Sequence, residues 1–374
     1  MIRATTRAPK SIAGIRCVLV LSWAGHQAHA QMQWWPTEVG GHAGAWLAEG
    51  DMQDAVDGLA SGVHAAWMTK ATNGWAAFFG GIEHGGFVGM HRIGASAYGW
   101  QPQAGWTLRT GQTRLVGWSF STGVAYNAKV YNLEEPDPLM EAVGTHWNAL
   151  VRLGITVAND SPISFGLGIL HTSNGALRRP NKGINTPHAR LIFRLVDTPR
   201  RKVYMDGAEA RTWRSAVGLA LGGRDHGGYG GHIYGVQEMF AQTSYVLTPK
   251  YGLTGQVSLV HHGARRADPA TDAPSDSIGA NVLNRLQPGV SLGWSWLFGR
   301  ARLDILKGGV LANPTPGFIH GFNKAQLFLS VHPTLDAFVA LRFTDWRADY
   351  VGAGVALRWG NSEKDCHTCP KWDL

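Results

Sequence analysis

Residues 147–157 read Trp-Asn-Ala-Leu-Val-Arg-Leu-Gly-Ile-Thr-Val, and this stretch decides the fold class. Its odd positions are all apolar: Trp147, Ala149, Val151, Leu153, Ile155 and Val157. The even positions are mostly small or polar, and they include Asn148, Arg152 and Gly154. Successive side chains of a β-strand point to opposite faces of the sheet. The stretch therefore predicts a strand with one apolar face and one largely polar face.

The same two-residue period returns at 118–126, 213–221, 290–296, 337–343 and 351–359. A soluble β-sandwich also alternates in this way. However, the predicted strands span about ten residues, as a tilted membrane strand requires. Backbone groups in lipid must all be paired, so a β-chain that enters a membrane has to close into a barrel. We predict an all-β protein, a closed antiparallel transmembrane β-barrel of about 12–16 strands, with the soluble sandwich as the alternative.

The composition excludes several other classes of protein. Glycine contributes 49 of the 374 residues, charged residues make up 16%, and there are 16 tryptophans and three cysteines. A disordered chain carries more charge and fewer aromatic side chains, and a small disulfide-built domain is much richer in cysteine. A helical membrane protein needs apolar runs of about 18 residues or more, and the body of this chain contains none.

The two ends of the chain differ from its body. Basic residues, an apolar stretch and then small residues ending at Ala30 have the order of a secretory signal peptide. Removing that peptide takes away four basic residues and reduces the net charge from +8 to +4, which argues against a nucleic-acid partner. We expect three segments: a signal peptide over 1–30, an outer-membrane barrel over 31–360 and a periplasmic tail over 361–374.

The tail contains the sequence Cys366-His-Thr-Cys369. This spacing occurs in zinc sites, but no second pair of ligands is present. Pro370 follows Cys369 where c-type haem attachment requires histidine. A local disulfide in an oxidising compartment is therefore favoured, and we predict no metal and no cofactor.

Polar residues interrupt the apolar face of the strand 163–173. Counting by twos from its outward-facing positions places His171 and Ser173 on the side that faces lipid, and the next strand places Asn185 there too. Serine needs a base to become a nucleophile, histidine is the base with a pKa nearest neutrality, and an amide oxygen can orient its ring. Asn174 and the N–H of Gly175 are candidate oxyanion donors. The alternative is a polar pair at the barrel rim.

The motifs around these residues resemble a known family. His171-Thr-Ser-Asn174 and Pro180-Asn-Lys-Gly-Ile-Asn185 are similar to the signature of the outer-membrane lipid A 3-O-deacylases, also called acyloxyacyl hydrolases, in their long form. As in that family, the third residue of the set, Asn185, follows the serine by twelve positions. The resemblance covers roughly 38–198 and implies a barrel in the bacterial outer membrane that hydrolyses an acyl ester of lipid A in the outer leaflet, with Ser173, His171 and Asn185 as catalytic residues.

The sequence departs from the family pattern at two places. The third residue is Asn185, whereas the best-known deacylases carry Glu at this place. Outer-membrane phospholipase A combines His-X-Ser with Asn, so a phospholipase is the first alternative to a deacylase. That phospholipase holds calcium with an Arg where this chain has Ala176. The order Asn-Ala-Gly that is usual in the deacylase family is changed here to Asn174-Gly175-Ala176. A channel or structural barrel without catalysis is the second alternative.

The connection between the two motifs is basic. Arg178, Arg179 and Lys182 are candidates for binding the phosphates of lipid A, because cations attract phosphate oxygens. The alternative is a solvated loop. The sequence leaves open whether the protein is a monomer or a homodimer.

Overall fold

The computed structural model describes residues 35–72, 74–111, 115–157, 161–198, 200–201, 211–225, 233–263, 285–312, 321–344 and 347–360. The predicted signal peptide and the predicted tail with Cys366 and Cys369 lie outside these ranges. Within the ranges, no helix has the length and apolar character needed to cross a membrane. The helix α1 covers Trp75–Phe78.

The strands fall into two sheets. The first sheet contains β1 Glu38–Gly44, β2 Ala60–Ala71, β3 Ile82–Arg92, β4 Trp100–Thr110, β5 Val116–Tyr126, β6 Trp147–Val157, β7 Ile163–Ser173, β8 Ile184–Arg194 and the short β9 Arg200–Arg201. The second sheet contains β10 Thr212–Asp225, β11 Ile233–Thr248, β12 Tyr251–His262, β13 Leu286–Phe298, β14 Ala301–Val310, β15 Gly321–His332, β16 Leu335–Thr344 and β17 Arg347–Gly360. Short 3-10 turns cover Gly50–Ala55, Ser96–Tyr98 and Pro138–Met140.

Each sheet closes on itself. In the first, neighbouring strands pair in antiparallel order and β1 pairs with both β2 and β8, while β9 adds a short parallel pairing to β2. In the second, β10 pairs with both β11 and β17. The strands β1–β8 are called the first barrel below, and β10–β17 the second barrel.

The predicted all-β class and closed antiparallel barrel are confirmed. The strands do not share one barrel of about 12–16 strands, however, and the segment 31–360 contains two barrels. The reason is that β8 pairs along β1, from Glu38↔Arg194 to Gly44↔His188, so β10 cannot use that edge of β8. Alternation and hairpin length are the same in one large barrel or two small ones, so neither feature distinguishes them.

Alternating side chains give each barrel an apolar outer wall. On β7 the odd positions face outwards, and Phe165 and Leu167 are 58% and 60% exposed, whereas the even positions are mostly buried. Leu219, Met239 and Leu292 are similarly exposed on the second barrel. A closed sheet covered with exposed apolar side chains is typical of a lipid-facing wall. Both barrels are therefore membrane-spanning.

Charged and polar side chains fill the inside of the barrels. In the first barrel Arg109 is ion-paired with Glu38 and with Glu83, whose Oε2 lies 3.1 Å from Arg109 Nη1. In the second barrel Lys324 Nζ donates to Glu238 Oε1 at 2.5 Å. Such partners are what permit charges to be buried. The inside of each barrel therefore contains paired charges, packed beside buried apolar clusters such as Phe240, Phe328 and Phe338 in the second barrel.

Gly166 shows how closely the first barrel is packed. The guanidinium of Arg190 crosses the interior and donates to the Oγ of Ser119 at 2.6 Å and to Oγ1 of Thr156 at 2.7 Å. A Cβ on Gly166 would collide with the Arg190 side chain. Only glycine at this position leaves room for the arginine.

The two ends of the barrels carry different connections. At the end where β7 finishes, called the outer end below, the connections 127–146 and 174–183 are long. At the opposite, inner end the turns are short, as at 249–250, 299–300 and 333–334. Long outer loops and short periplasmic turns are the usual arrangement in outer-membrane barrels. By this arrangement β7 runs from the periplasmic side to the outer side of the membrane.

Loops at the outer end of the first barrel form a small apolar core, called the outer cap below. Its buried residues are Trp46, Met52, Ala55, Ile93, Ala95, Tyr98, Met140, Ala142, Val143 and Ile184. The Tyr98 hydroxyl donates to the Leu139 carbonyl at 2.9 Å and accepts from the Ala142 N–H at 3.2 Å. Burial raises the pKa of the Tyr98 phenol, so the hydroxyl remains protonated and keeps both bonds.

Candidate active site

Three polar side chains lie on the lipid-facing wall at the outer end of β7 and β8. His171 and Ser173 occupy outward positions of β7, where the strand alternates between outward and buried residues. Asn185 occupies an outward position of β8 and is directly opposite His171 in the pairing of the two strands. All three are half-buried. The structure thus brings together the three residues singled out from the sequence.

The three side chains are joined by hydrogen bonds. His171 Nε2 is 2.9 Å from Ser173 Oγ, and His171 Nδ1 is 2.8 Å from Asn185 Oδ1. An amide oxygen only accepts hydrogen bonds, so Nδ1 of a neutral His171 ring carries the proton. Nε2 is then free to accept from the Ser173 hydroxyl. This is the orientation that a general base requires.

Gly183 lies against the histidine ring. Its φ of +76° is in the left-handed region, and a Cβ at this position would lie 3.0 Å from His171 Cε1. The Gly183 N–H donates to the Ala142 carbonyl at 2.9 Å, which ties this residue to the outer cap. Glycine is required here both by the backbone conformation and by the close approach to the ring.

The outer cap also supports Asn185. Ile184, the preceding residue, is buried in the cap. The carbonyl of Asn185 accepts a hydrogen bond from the N–H of Leu47 at 2.8 Å. The start of β8 is therefore held from the inside by the cap, while the Asn185 side chain projects outwards toward His171.

The turn after Ser173 contains the two predicted oxyanion donors, and they differ. The Asn174 side chain donates to the Arg178 carbonyl at 2.7 Å, and its backbone N–H donates to Asn181 Oδ1 at 3.1 Å, so its donors serve the turn itself. Gly175 has a φ of +64°. Among the residues that the structure describes, none accepts a hydrogen bond from the Gly175 N–H. Of the two, the Gly175 N–H is the donor available to a ligand.

The three predicted phosphate-binding residues also differ in their surroundings. Lys182 forms an ion pair with Glu141 of the outer cap loops. The N–H of Arg179 donates to Asp225 Oδ2 at 2.6 Å. The side chain of Arg178 is exposed and, within the described part of the chain, has no ion pair. Arg178 is therefore the cation of this loop that is most accessible to an anion.

Glu141 and Asp225 contact this loop, but no motif in the sequence marks them. Glu141 belongs to the connection between β5 and β6, and Asp225 is the last residue of β10 in the other sheet. Pairing across such separations depends on tertiary packing, and single-sequence periodicity reports only which face a residue occupies.

Comparisons with known proteins agree with the motif. Residues 25–194 match the family model for Lipid A 3-O-deacylase (PagL). The matched segment includes all eight strands of the first barrel. The match with the PagL family ends at the last residue of β8, so the second barrel lies beyond it. No curated protein sequence matches the chain.

Solved structures give more distant similarities. The outer membrane enzyme PagL has 15% sequence identity and a TM-score of 0.32, over 42% of this chain and 99% of that chain. A triple mutant of the porin from Rhodopseudomonas blastica has 9% identity and a TM-score of 0.21, over 86% of this chain and 99% of that chain. The lipid-facing walls of the barrels and the match with the PagL family identify an integral outer-membrane protein.

Proposed function

We propose that this chain is an outer-membrane lipid A 3-O-deacylase, a serine ester hydrolase with Ser173, His171 and Asn185 as its catalytic residues. The observation that carries the proposal is the hydrogen-bonded series from the Ser173 hydroxyl through the His171 ring to the Asn185 amide oxygen. A serine nucleophile needs an adjacent base, and that base needs a third group to orient it. The series supplies both, on a barrel that matches the PagL family.

In the proposed reaction, Ser173 Oγ attacks the carbonyl carbon of the acyl ester while His171 Nε2 accepts the hydroxyl proton. Asn185 keeps the Nδ1 proton in place and so maintains the ring orientation. The carbonyl oxygen becomes negative in the tetrahedral intermediate and accepts a hydrogen bond from the Gly175 N–H. The sugar oxygen leaves with the proton from His171, and water then hydrolyses the acyl-serine and releases a fatty acid.

The position of Ser173 on the wall fits a substrate that is itself a membrane lipid. Below it on β7, toward the membrane, lie the outward side chains of Ile169 and Leu167, which are exposed. Across the strand pair, the small side chain of Ala149 of β6 is opposite Ser173. An acyl chain lying along this wall would bring its ester to the height of Ser173.

The connection between β7 and β8 supplies positive charge near that height. Arg178 is exposed, and we propose that its guanidinium binds a phosphate of lipid A, which it can contact through two parallel hydrogen bonds. Lys182 shares its charge with Glu141, and we assign it a smaller part in phosphate binding. Arg179 is assigned to the structure of the loop through its N–H bond to Asp225.

The proposal is tested by mass spectrometry of lipid A from cells that express the wild type, Ser173→Ala or His171→Ala. The wild type is expected to remove one ester-linked acyl chain, and both variants are expected to leave lipid A intact. Ser161→Ala is the matched control, because Ser161 precedes the inner end of the same strand and is remote from His171. Full activity in both site variants would overturn the assignment of the catalytic residues.

Measuring phospholipids in the same cells distinguishes a lipid A deacylase from the first alternative, a phospholipase. Lysophospholipid formed beside unchanged lipid A would overturn the proposed substrate and indicate a phospholipase. Absence of hydrolysis of either lipid, together with failure of a fluorophosphonate ester to label Ser173, would overturn the assignment as an esterase.

A further inference from the structure

The turn that follows Ser173 rests on the second barrel. Hydrogen bonds through the last residue of β10 join them. The N–H of Asp225 donates to the Ala176 carbonyl at 2.8 Å, and Asp225 Oδ2 accepts from the Arg179 N–H at 2.6 Å. Asp225 is only 1% exposed. One residue of the second barrel therefore binds the turn at two points.

Apolar contacts with the second barrel also hold the same turn. A Cβ on Gly175 would lie 3.0 Å from Val351 Cβ, so the Val351 side chain packs directly against the Gly175 backbone. A Cβ on Gly223 would lie 3.2 Å from a terminal methyl of Leu177. Val351 and Gly223 are paired residues of β17 and β10. The outer ends of two adjacent strands of the second barrel thus pack against the turn.

The conformation of the turn explains why such support matters. Gly175 and Ala176 both have left-handed backbone angles, with φ of +64° and +71°. The left-handed region is unfavourable for alanine, because its Cβ approaches the backbone carbonyl. Conformations of this kind persist where the surroundings over-determine them. The Asp225 bond to the Ala176 carbonyl acts on the strained residue itself.

The two barrels also touch at the inner end. Phe79, which follows α1, stacks on Phe298 of β13 with ring centroids 5.3 Å apart. Gly299 lies under the Trp75 indole, where a Cβ would be 2.7 Å from Nε1. Among the residues that the structure describes, the two barrels are therefore in contact near both ends.

We propose that the second barrel positions the oxyanion-binding turn of the first, and that Asp225 is the positioning residue. The inference rests on the proposed role of Ser173 and the Gly175 N–H. Asp225 holds the Ala176 and Arg179 backbone, and Val351 limits movement of Gly175 away from the serine. The Gly175 N–H then points to a fixed place beside Ser173, so the geometry of the oxyanion site depends on residues outside the PagL match.

Kinetics of the full-length protein on lipid A test this role. Asp225→Ala removes the acceptor for the Arg179 N–H and is expected to lower kcat about tenfold, because a small misplacement of a catalytic group costs up to about a hundredfold. KM is expected to stay within about twofold, since no substrate contact is lost. Asp225→Asn keeps an acceptor oxygen and is expected to recover most of the lost kcat.

Asp336→Ala is the matched control. Asp336 is also 1% exposed in the second barrel, but it is paired with Arg358 at the inner end. Both variants remove a buried carboxylate from the same barrel, and only Asp225→Ala acts on the turn. A wild-type kcat in folded Asp225→Ala, or an equal loss in Asp336→Ala, would overturn the proposal.

Hydrogen exchange provides a readout that does not depend on activity. Peptides covering 174–180 are expected to exchange faster in Asp225→Ala than in the wild type or Asp336→Ala, with the Arg179 amide most affected. Val351→Ala, which only shortens a side chain, is the second variant if Asp225→Ala does not fold. Unchanged exchange in these variants would overturn the positioning role. Faster exchange with no lipid A hydrolysis by the wild type would overturn the proposed function alone.

Discussion

Gly183 is the residue whose substitution tests the geometry of the site most directly. Alanine at this position would put a Cβ 3.0 Å from His171 Cε1, closer than an ordinary van der Waals contact. The ring cannot yield freely, because its two nitrogens are bonded to Ser173 and Asn185 at 2.9 and 2.8 Å. Gly183→Ala is therefore expected to stretch or break one of these two hydrogen bonds.

The size of the effect follows from two separate costs. A left-handed alanine costs about 1–2 kcal/mol of folding stability, and this cost is independent of the histidine. A neutral hydrogen bond contributes about 1 kcal/mol, which corresponds to about fivefold in rate if it is lost from the transition state. We therefore expect Gly183→Ala to lower kcat about fivefold, with a modest loss of stability.

Gly99→Ala separates the two costs. Gly99 also has a positive φ of +70°, with a ψ of −151° at which alanine is at least as strained as in the left-handed region, but a Cβ there would meet no atom within 4 Å. The assay is fatty acid release from lipid A by purified protein, with the folded fraction measured by the mobility of unheated samples in electrophoresis. A kcat for Gly183→Ala that equals that of Gly99→Ala would refute the argument that the glycine protects the histidine ring.

Three further predictions concern the site and the barrel that carries it. Asn185→Ala is expected to lower kcat at least about a hundredfold, because nothing then fixes the orientation of the His171 ring. Asn185→Asp keeps a hydrogen-bond acceptor and is expected to retain more activity, so equal losses in the two variants would contradict the orienting role. Arg178→Ala is expected to raise KM severalfold at low ionic strength and less at high ionic strength, because salt screens an exposed charge. Arg178→Lys, which keeps the charge, serves as the control. A change in KM that is independent of salt would argue against phosphate binding. Gly166→Ala is expected to destabilise the first barrel by about 1–3 kcal/mol, since its Cβ collides with Arg190; an unchanged midpoint in denaturant unfolding would count against that packing.

The face of each site residue could be predicted from the sequence because strands alternate strictly. His171 and Ser173 follow the outward positions of β7 by twos, and Asn185 follows those of β8. Consecutive strands of an antiparallel barrel are neighbours, so pairing of His171 with Asn185 required no knowledge of the rest of the fold. Local periodicity and one antiparallel pairing contain this information.

The closure of the sheets and the partners of the turn could not be predicted in the same way. Whether β8 pairs with β1 or with a later strand depends on barrel curvature and shear, which leave no mark in the two-residue period. The hydrogen bond from the Asn174 side chain to the Arg178 carbonyl depends on the path of the chain between these two residues. Asp225 reaches that turn from a separate sheet, so its part in the site exists only after both barrels have folded.

The packed interior of both barrels determines how the proposed site meets its substrate. Paired side chains occupy the inside of the described barrels, among them Arg109, Glu83, Lys324 and Glu238. Lipid therefore contacts these barrels at their outer walls. Ser173 then encounters esters by two-dimensional diffusion in the leaflet. The rate would follow the mole fraction of lipid A in the surface, so diluting that surface with inert amphiphile would slow hydrolysis even at constant bulk concentration.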